Sequence, residues 1–182
     1  QVRSALTGMA WPGLPSRHAT YNLALLNQLE HSQWLPAEDM LHLQFRQINL
    51  LLRHALETVP YYRDRRQEWG IELDHAISPE EYCRRIPILT RAEVQELGDK
   101  LLSAEVPKLH GKSGSVFTSG STGMPIKVIK TELTETLWNA FTARDHLWHR
   151  DPKLKLASIR PLSGNEANYP EGKVFENWGS ME

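Results

Sequence analysis

The sequence predicts an α/β fold in which a helical N-terminal region leads into an incomplete α/β subdomain. Three observations support this: helical periodicity over about the first hundred residues, two short β-prone runs at 115–118 and 126–129, and a further helix after them. Two or three short strands make a poor sheet by themselves. We therefore expect the sequence to be the start of a larger fold whose sheet is completed elsewhere.

The predicted organisation has three parts. Residues 1–17 form an irregular N-terminal arm, because residues 8–16 hold two Gly and two Pro. Residues 18–105 form the helical region. Residues 106–182 begin the α/β subdomain, and a candidate phosphate-binding loop lies at 118–127.

The helical region divides at prolines and glycines. A first helix is expected from about Ala19 to Trp34, a second from about Ala37 to Thr58, and a shorter one from Tyr61 to Trp69. The second is the most strongly patterned, because apolar residues recur on one face at steps of three and four. These residues are Leu41, Phe45, Ile48, Leu52, Leu56 and Val59.

The sequence also predicts where several helices begin. Residues 78–81 (Ser-Pro-Glu-Glu) and 90–93 (Thr-Arg-Ala-Glu) are capping boxes, and the second opens a helix to about Leu102. Thr131 is expected to cap a helix from Glu132 to about Trp148, and residues 154–159 are a further β-prone run. The residues of that last helix expected to face inward are Leu133, Leu137, Phe141 and Trp148.

Composition excludes several classes of protein. The 182 residues are 40% apolar and 24% charged, which is enough to build a core. The 21 basic and 22 acidic residues leave no excess charge for a nucleic-acid partner. No apolar run approaches the roughly 20 residues that span a bilayer, so no membrane partner is expected. The single cysteine, Cys83, excludes an internal disulfide and favours a reducing, cytoplasmic location.

The loop between the two β-prone runs carries the chemistry. Residues 118–125 read Thr-Ser-Gly-Ser-Thr-Gly-Met-Pro, so hydroxyl donors alternate with glycines that let a charged ligand approach backbone N–H groups. Lys127 adds a cation just beyond. A polar hairpin turn is the alternative, because Ser, Thr and Gly are common in turns. The loop is neither a Walker A motif nor a GxGxxG dinucleotide fingerprint.

Residues 118–125 resemble the phosphate-binding loop of adenylate-forming enzymes, the superfamily of acyl- and aryl-CoA ligases. Two further segments resemble its phenylacetate-CoA ligase branch, which includes coenzyme F390 synthetase-like relatives. They are residues 52–63, with their Val-Pro-Tyr-Tyr element, and residues 86–93. The three segments occur in the family's order and cover about residues 45–160. The predicted fold is then part of such an enzyme's large N-terminal domain.

The resemblance implies ATP-dependent activation of a carboxylic acid to an acyl-adenylate, followed by transfer to a thiol such as CoA. The loop binds the ATP phosphates, and Mg²⁺ accompanies the nucleotide. The residues assigned to phosphate binding are Thr118, Ser119, Gly120, Ser121, Thr122, Gly123 and Lys127. Many relatives place lysine directly after the loop's proline, whereas Ile126 intervenes here. Adjacent residues of a strand point to opposite faces, so the sequence leaves open whether Lys127 reaches the phosphates.

Members of the family are more than twice as long as this chain. Their adenine-binding motifs and the C-terminal domain with the adenylation lysine have no counterpart in these residues, so we expect the chain to be inactive alone and assign no catalytic residue. The alternative function is a non-catalytic fragment or divergent remnant that serves as an interaction or scaffold module. His146 and His149 lie three residues apart, but two ligands without a further partner are too few to predict a metal site.

Overall fold

The computed structural model describes residues 4–118 and 125–149, which form a mixed, mainly helical structure with a small two-stranded sheet. The α-helices of these ranges are α1 (Arg17–Ser32), α2 (Ala37–Thr58), α3 (Pro60–Arg65), α4 (Pro79–Arg85), α5 (Arg91–Leu97) and α6 (Glu132–His149). Short 3₁₀ helices cover Gly98–Leu101 and Lys108–His110. The strands are β1 (Ser113–Phe117) and β2 (Lys127–Thr131). The β-prone run at 154–159 lies outside the described residues.

The described residues divide into two compact units. One contains residues 4–33 and 135–149, and therefore α1 and most of α6. The other contains residues 34–118 and 125–134, and therefore α2 to α5 and both strands.

Helix α2 has the bounds that the sequence predicts, from Ala37 to Thr58. Pro36 precedes its first residue, and Val59, just after its end, has extended φ and ψ angles, as expected of a residue before a proline. The apolar stripe is buried only in its C-terminal part, at Leu52, Leu56 and Val59, whereas Leu41 is exposed. The core of this unit therefore lies at the C-terminal half of α2.

Residues from the segment after α3 complete that core. Ile71 and Ile77 are buried against Leu52 and Leu56, and half-buried aromatic side chains pack around them. Asn49 fixes the segment to α2, because its side chain accepts a hydrogen bond from the N–H of Ile77 (2.9 Å) and donates one to the carbonyl of the same residue (3.1 Å).

Both predicted capping boxes are confirmed. The hydroxyls of Ser78 and Thr90 accept from the backbone N–H three residues on, and the glutamates Glu81 and Glu93 accept in return. The backbone N–H of Ser78 lowers the pKa of Glu81 because it stabilises the charged carboxylate. Helix α5 is shorter than predicted: it ends at Leu97, where Gly98 takes a φ of +51° and a 3₁₀ turn follows.

The buried residues of α1 and α6 are small or polar except for one leucine. In α1 the buried residues are Ala19, Asn22 and Leu26. In α6 they are Thr136, Ala140 and Ala143. The helix itself is confirmed, with bounds Glu132–His149, but the prediction of its inward face was wrong. The residues expected to face inward are all exposed: Leu133, Leu137, Phe141 and Trp148. Small side chains let another element pack closely against a helix. The positions of the large apolar residues therefore do not show which face of α6 is buried.

Within the described ranges, no helix combines the length and the apolar character needed to cross a lipid bilayer.

Candidate functional site

The candidate loop is carried by an antiparallel β-hairpin. Strands β1 and β2 pair from Ser113 opposite Thr131 to Phe117 opposite Lys127. The sequence predicted two strands around this loop, and the structure confirms both with slightly different bounds.

The hairpin is closed one step beyond the ladder, at Thr118 and Ile126. The N–H of Thr118 donates to the carbonyl of Ile126 (3.0 Å), and the N–H of Ile126 donates to the Thr118 hydroxyl (2.9 Å). The Thr118 hydroxyl accepts in this contact, so its own proton is available for a second partner. Thr118 therefore fixes the base of the loop and retains a donor.

The predicted phosphate-binding residues are distributed unequally over the structure. Thr118 and Lys127 are described and lie at the base of the loop. The other five lie outside the described residues, within the segment that connects Thr118 to Ile126: Ser119, Gly120, Ser121, Thr122 and Gly123. Their roles remain predictions.

Lys127 has a partner that the sequence did not indicate. Its Nζ lies 3.5 Å from Oδ1 of Asp99, in the 3₁₀ turn that follows α5. The Lys127 side chain is 43% exposed and that of Asp99 is 82% exposed. The two residues are 28 positions apart, and no motif links them. The ammonium at the base of the loop is thus paired with an exposed carboxylate.

The far end of the hairpin is held by the start of α6. The N–H of Glu132 donates to the carbonyl of Lys112 (3.0 Å), and the Thr131 hydroxyl caps the helix by accepting from the N–H of Thr134 (3.2 Å). Gly111 has a φ of +75°, and a Cβ there would overlap the Glu132 side chain. A residue with a side chain at this position is strained by the positive φ and requires the Glu132 side chain to move.

A second polar cluster joins the C-terminal end of α2 to residues 103–105. The Ser103 Oγ lies 3.2 Å from Nε2 of His54 and donates to the Thr58 hydroxyl (2.8 Å) and to the carbonyl of Glu105 (2.5 Å). The Ser103 hydroxyl has one proton, so it donates to one of these acceptors at a time, and the Glu105 carbonyl is the nearest. Among the described residues no carboxylate is hydrogen-bonded to His54, so a Ser-His-acid arrangement is not formed. The cluster anchors the chain close to the turn that carries Asp99.

The two remaining histidines of interest lie at the end of α6, where His149 Nε2 is 3.6 Å from Asp145 Oδ1. In the described part of the chain no three His, Cys, Asp or Glu side chains are grouped so that they could hold a metal ion.

No family model matches the chain, and no curated protein matches its sequence.

Proposed function

We propose that the chain is the N-terminal segment of an ATP-dependent, carboxylate-activating enzyme of the adenylate-forming type, and that its hairpin loop binds the ATP phosphates. The observation that carries this proposal is the closure of the hairpin at Thr118 and Ile126, at the two ends of the Ser-, Thr- and Gly-rich segment. A short loop with fixed ends loses less conformational entropy when its donors bind an anion.

The groups at the base of the loop suit a polyphosphate. The Thr118 hydroxyl has a proton to donate. Lys127, which follows Ile126 and begins β2, supplies a positive charge at the same end of the hairpin. Together with the loop's hydroxyl and backbone donors, these groups stabilise charge that develops on a leaving pyrophosphate. A Mg²⁺ ion bound with the nucleotide offsets the remaining negative charge.

The rest of the reaction belongs to the proposed full enzyme. The full enzyme activates a carboxylic acid and transfers the acyl group to a thiol such as CoA. Its proposed location is the cytoplasm, where a single cysteine stays reduced. The chain alone supplies phosphate binding and forms no acyl-adenylate. Detection of an acyl-adenylate from the pure chain, ATP and a carboxylic acid contradicts this part of the proposal.

The test is a thermal melt with and without saturating MgATP. Ligand at a hundred times its dissociation constant stabilises by about 2.7 kcal/mol, which for a chain of this size raises Tm by roughly 5–10 °C. The shift should be lost in a Ser121→Ala/Thr122→Ala variant. It should persist in the matched Ser113→Ala/Ser115→Ala variant, which removes two hydroxyls from β1 instead. A cooperative melt that MgATP does not move refutes ATP binding.

The alternative, an interaction or scaffold module, is favoured by the exposed apolar side chains of the same hairpin. Phe117 is 65% exposed, and Val116 and Val128 are exposed as well. Apolar groups on a two-stranded sheet are suited to packing against another element. An unmoved melt in MgATP is the outcome that favours this function.

A further inference from the structure

The contact between Lys127 and Asp99 bears on how an anion reaches the hairpin. An ammonium that is to bind phosphate is already paired with a carboxylate from another segment, at 3.5 Å. Both side chains are substantially exposed, so the pair is hydrated and screened, and such pairs hold together only weakly.

The backbone that carries Asp99 is better fixed than the ion pair itself. The carbonyl of Asp99 accepts a hydrogen bond from the N–H of Leu102 (3.0 Å), which closes the 3₁₀ turn. Two residues later, the N–H of Ala104 donates to the carbonyl of Thr58 at the end of α2 (2.8 Å). The backbone after Asp99 is therefore anchored to the core helix, and this places the Asp99 side chain where it reaches Lys127.

We propose that Asp99 is an internal competitor for the anion that Lys127 binds. Without a bound anion, the Asp99 carboxylate forms an ion pair with the Lys127 ammonium. A polyphosphate displaces it, because an anion of several charges outweighs one exposed carboxylate. The affinity for polyphosphate is then lower than it would be without Asp99, because the ion pair between Lys127 and Asp99 has to be broken first. This inference rests on the proposed function of the hairpin as a phosphate site.

The experiment measures binding of inorganic tripolyphosphate to the full chain by isothermal titration calorimetry. Asp99→Asn should tighten binding about two- to fivefold, the range that corresponds to an exposed ion pair. Asp99→Glu keeps the carboxylate and should bind as the unaltered chain does. Lys127→Met should weaken binding, and Asp99→Asn added to Lys127→Met should change nothing further.

A matched control removes the same charge elsewhere. Asp39 lies in the first turn of α2, and Ala104 is bonded to the last residue of that helix. At 1.5 Å per residue, Asp39 is about 30 Å along the helix from this contact. Asp39→Asn should therefore leave tripolyphosphate binding unchanged.

The outcomes separate the two proposals. If tripolyphosphate binds neither the unaltered chain nor Asp99→Asn, the phosphate site itself is refuted, and the role of Asp99 with it. If it binds both with equal affinity, the site stands and competition by Asp99 is refuted. Equal tightening by Asp99→Asn with and without Lys127 also refutes competition, because it shows a general charge effect.

Discussion

Burial along α2 differs sharply between two leucines of the same helix, and this difference predicts their contributions to stability. Leu56 is 2% exposed and packs in the core with Leu52, Ile71 and Ile77, whereas Leu51 is 63% exposed. The change from Leu to Ala removes three carbon atoms, worth about 2.4 kcal/mol of transfer free energy when they are buried. The cavity left behind raises the expected loss for Leu56→Ala to about 3–4 kcal/mol.

Leu51→Ala is the matched control, because it makes the same chemical change in the same helix. Its expected effect on the free energy of unfolding is within about 0.5 kcal/mol. The assay is urea unfolding followed by circular dichroism. With a slope of about 2 kcal/mol per molar urea, the midpoint of Leu56→Ala should fall by about 1.5–2 M. Equal losses in the two variants, or a larger loss for Leu51→Ala, refute the assignment of the buried face of α2.

Two further predictions concern the hairpin and a helix cap. Gly111→Ala should lower the free energy of unfolding in urea by about 1–2 kcal/mol, because its φ is +75° and a Cβ would lie 2.8 Å from the Glu132 carboxyl carbon. Gly114→Ala is the control and should leave the free energy of unfolding unchanged, because a Cβ there meets nothing within 4 Å. The lowered pKa of Glu81, caused chiefly by the Ser78 N–H, means that the ionised form is stabilised by folding, so this contribution is present at neutral pH and is lost as the pH falls through the lowered pKa. Between about pH 6 and about pH 3, the free energy of unfolding should fall by less in Glu81→Gln than in the unaltered chain. An equal loss contradicts that role.

The sequence predicts best where the determining interactions are local. Both ends of α2 are marked by prolines, Pro36 and Pro60, whose missing N–H and fixed φ act on their immediate neighbours. The capping boxes at Ser78 and Thr90 close within three residues. Such features form from residues adjacent in the chain, so a single sequence is enough to find them.

The sequence fails where the partner is distant. The large apolar residues of α6 predict one inward face, yet the buried residues are Thr136, Ala140 and Ala143. What packs against a helix decides which of its faces is buried. The Lys127 ion pair spans 28 positions and the contact between Ser103 and His54 spans 49. Neither pair has a spacing that sequence patterns encode, so only the fold brings them together.

The base of the loop combines firm and weak contacts, and the proposed phosphate site depends on both. Thr118 and Ile126 are joined by two hydrogen bonds, and a turn needs no more than this to hold its strands in register. The exposed contact between Lys127 and Asp99 adds little stability to that register. A weak ion pair beside a firmly closed loop leaves the cation available to a stronger anion at small cost. In the proposed function, the backbone keeps its register while Lys127 exchanges the Asp99 carboxylate for a phosphate.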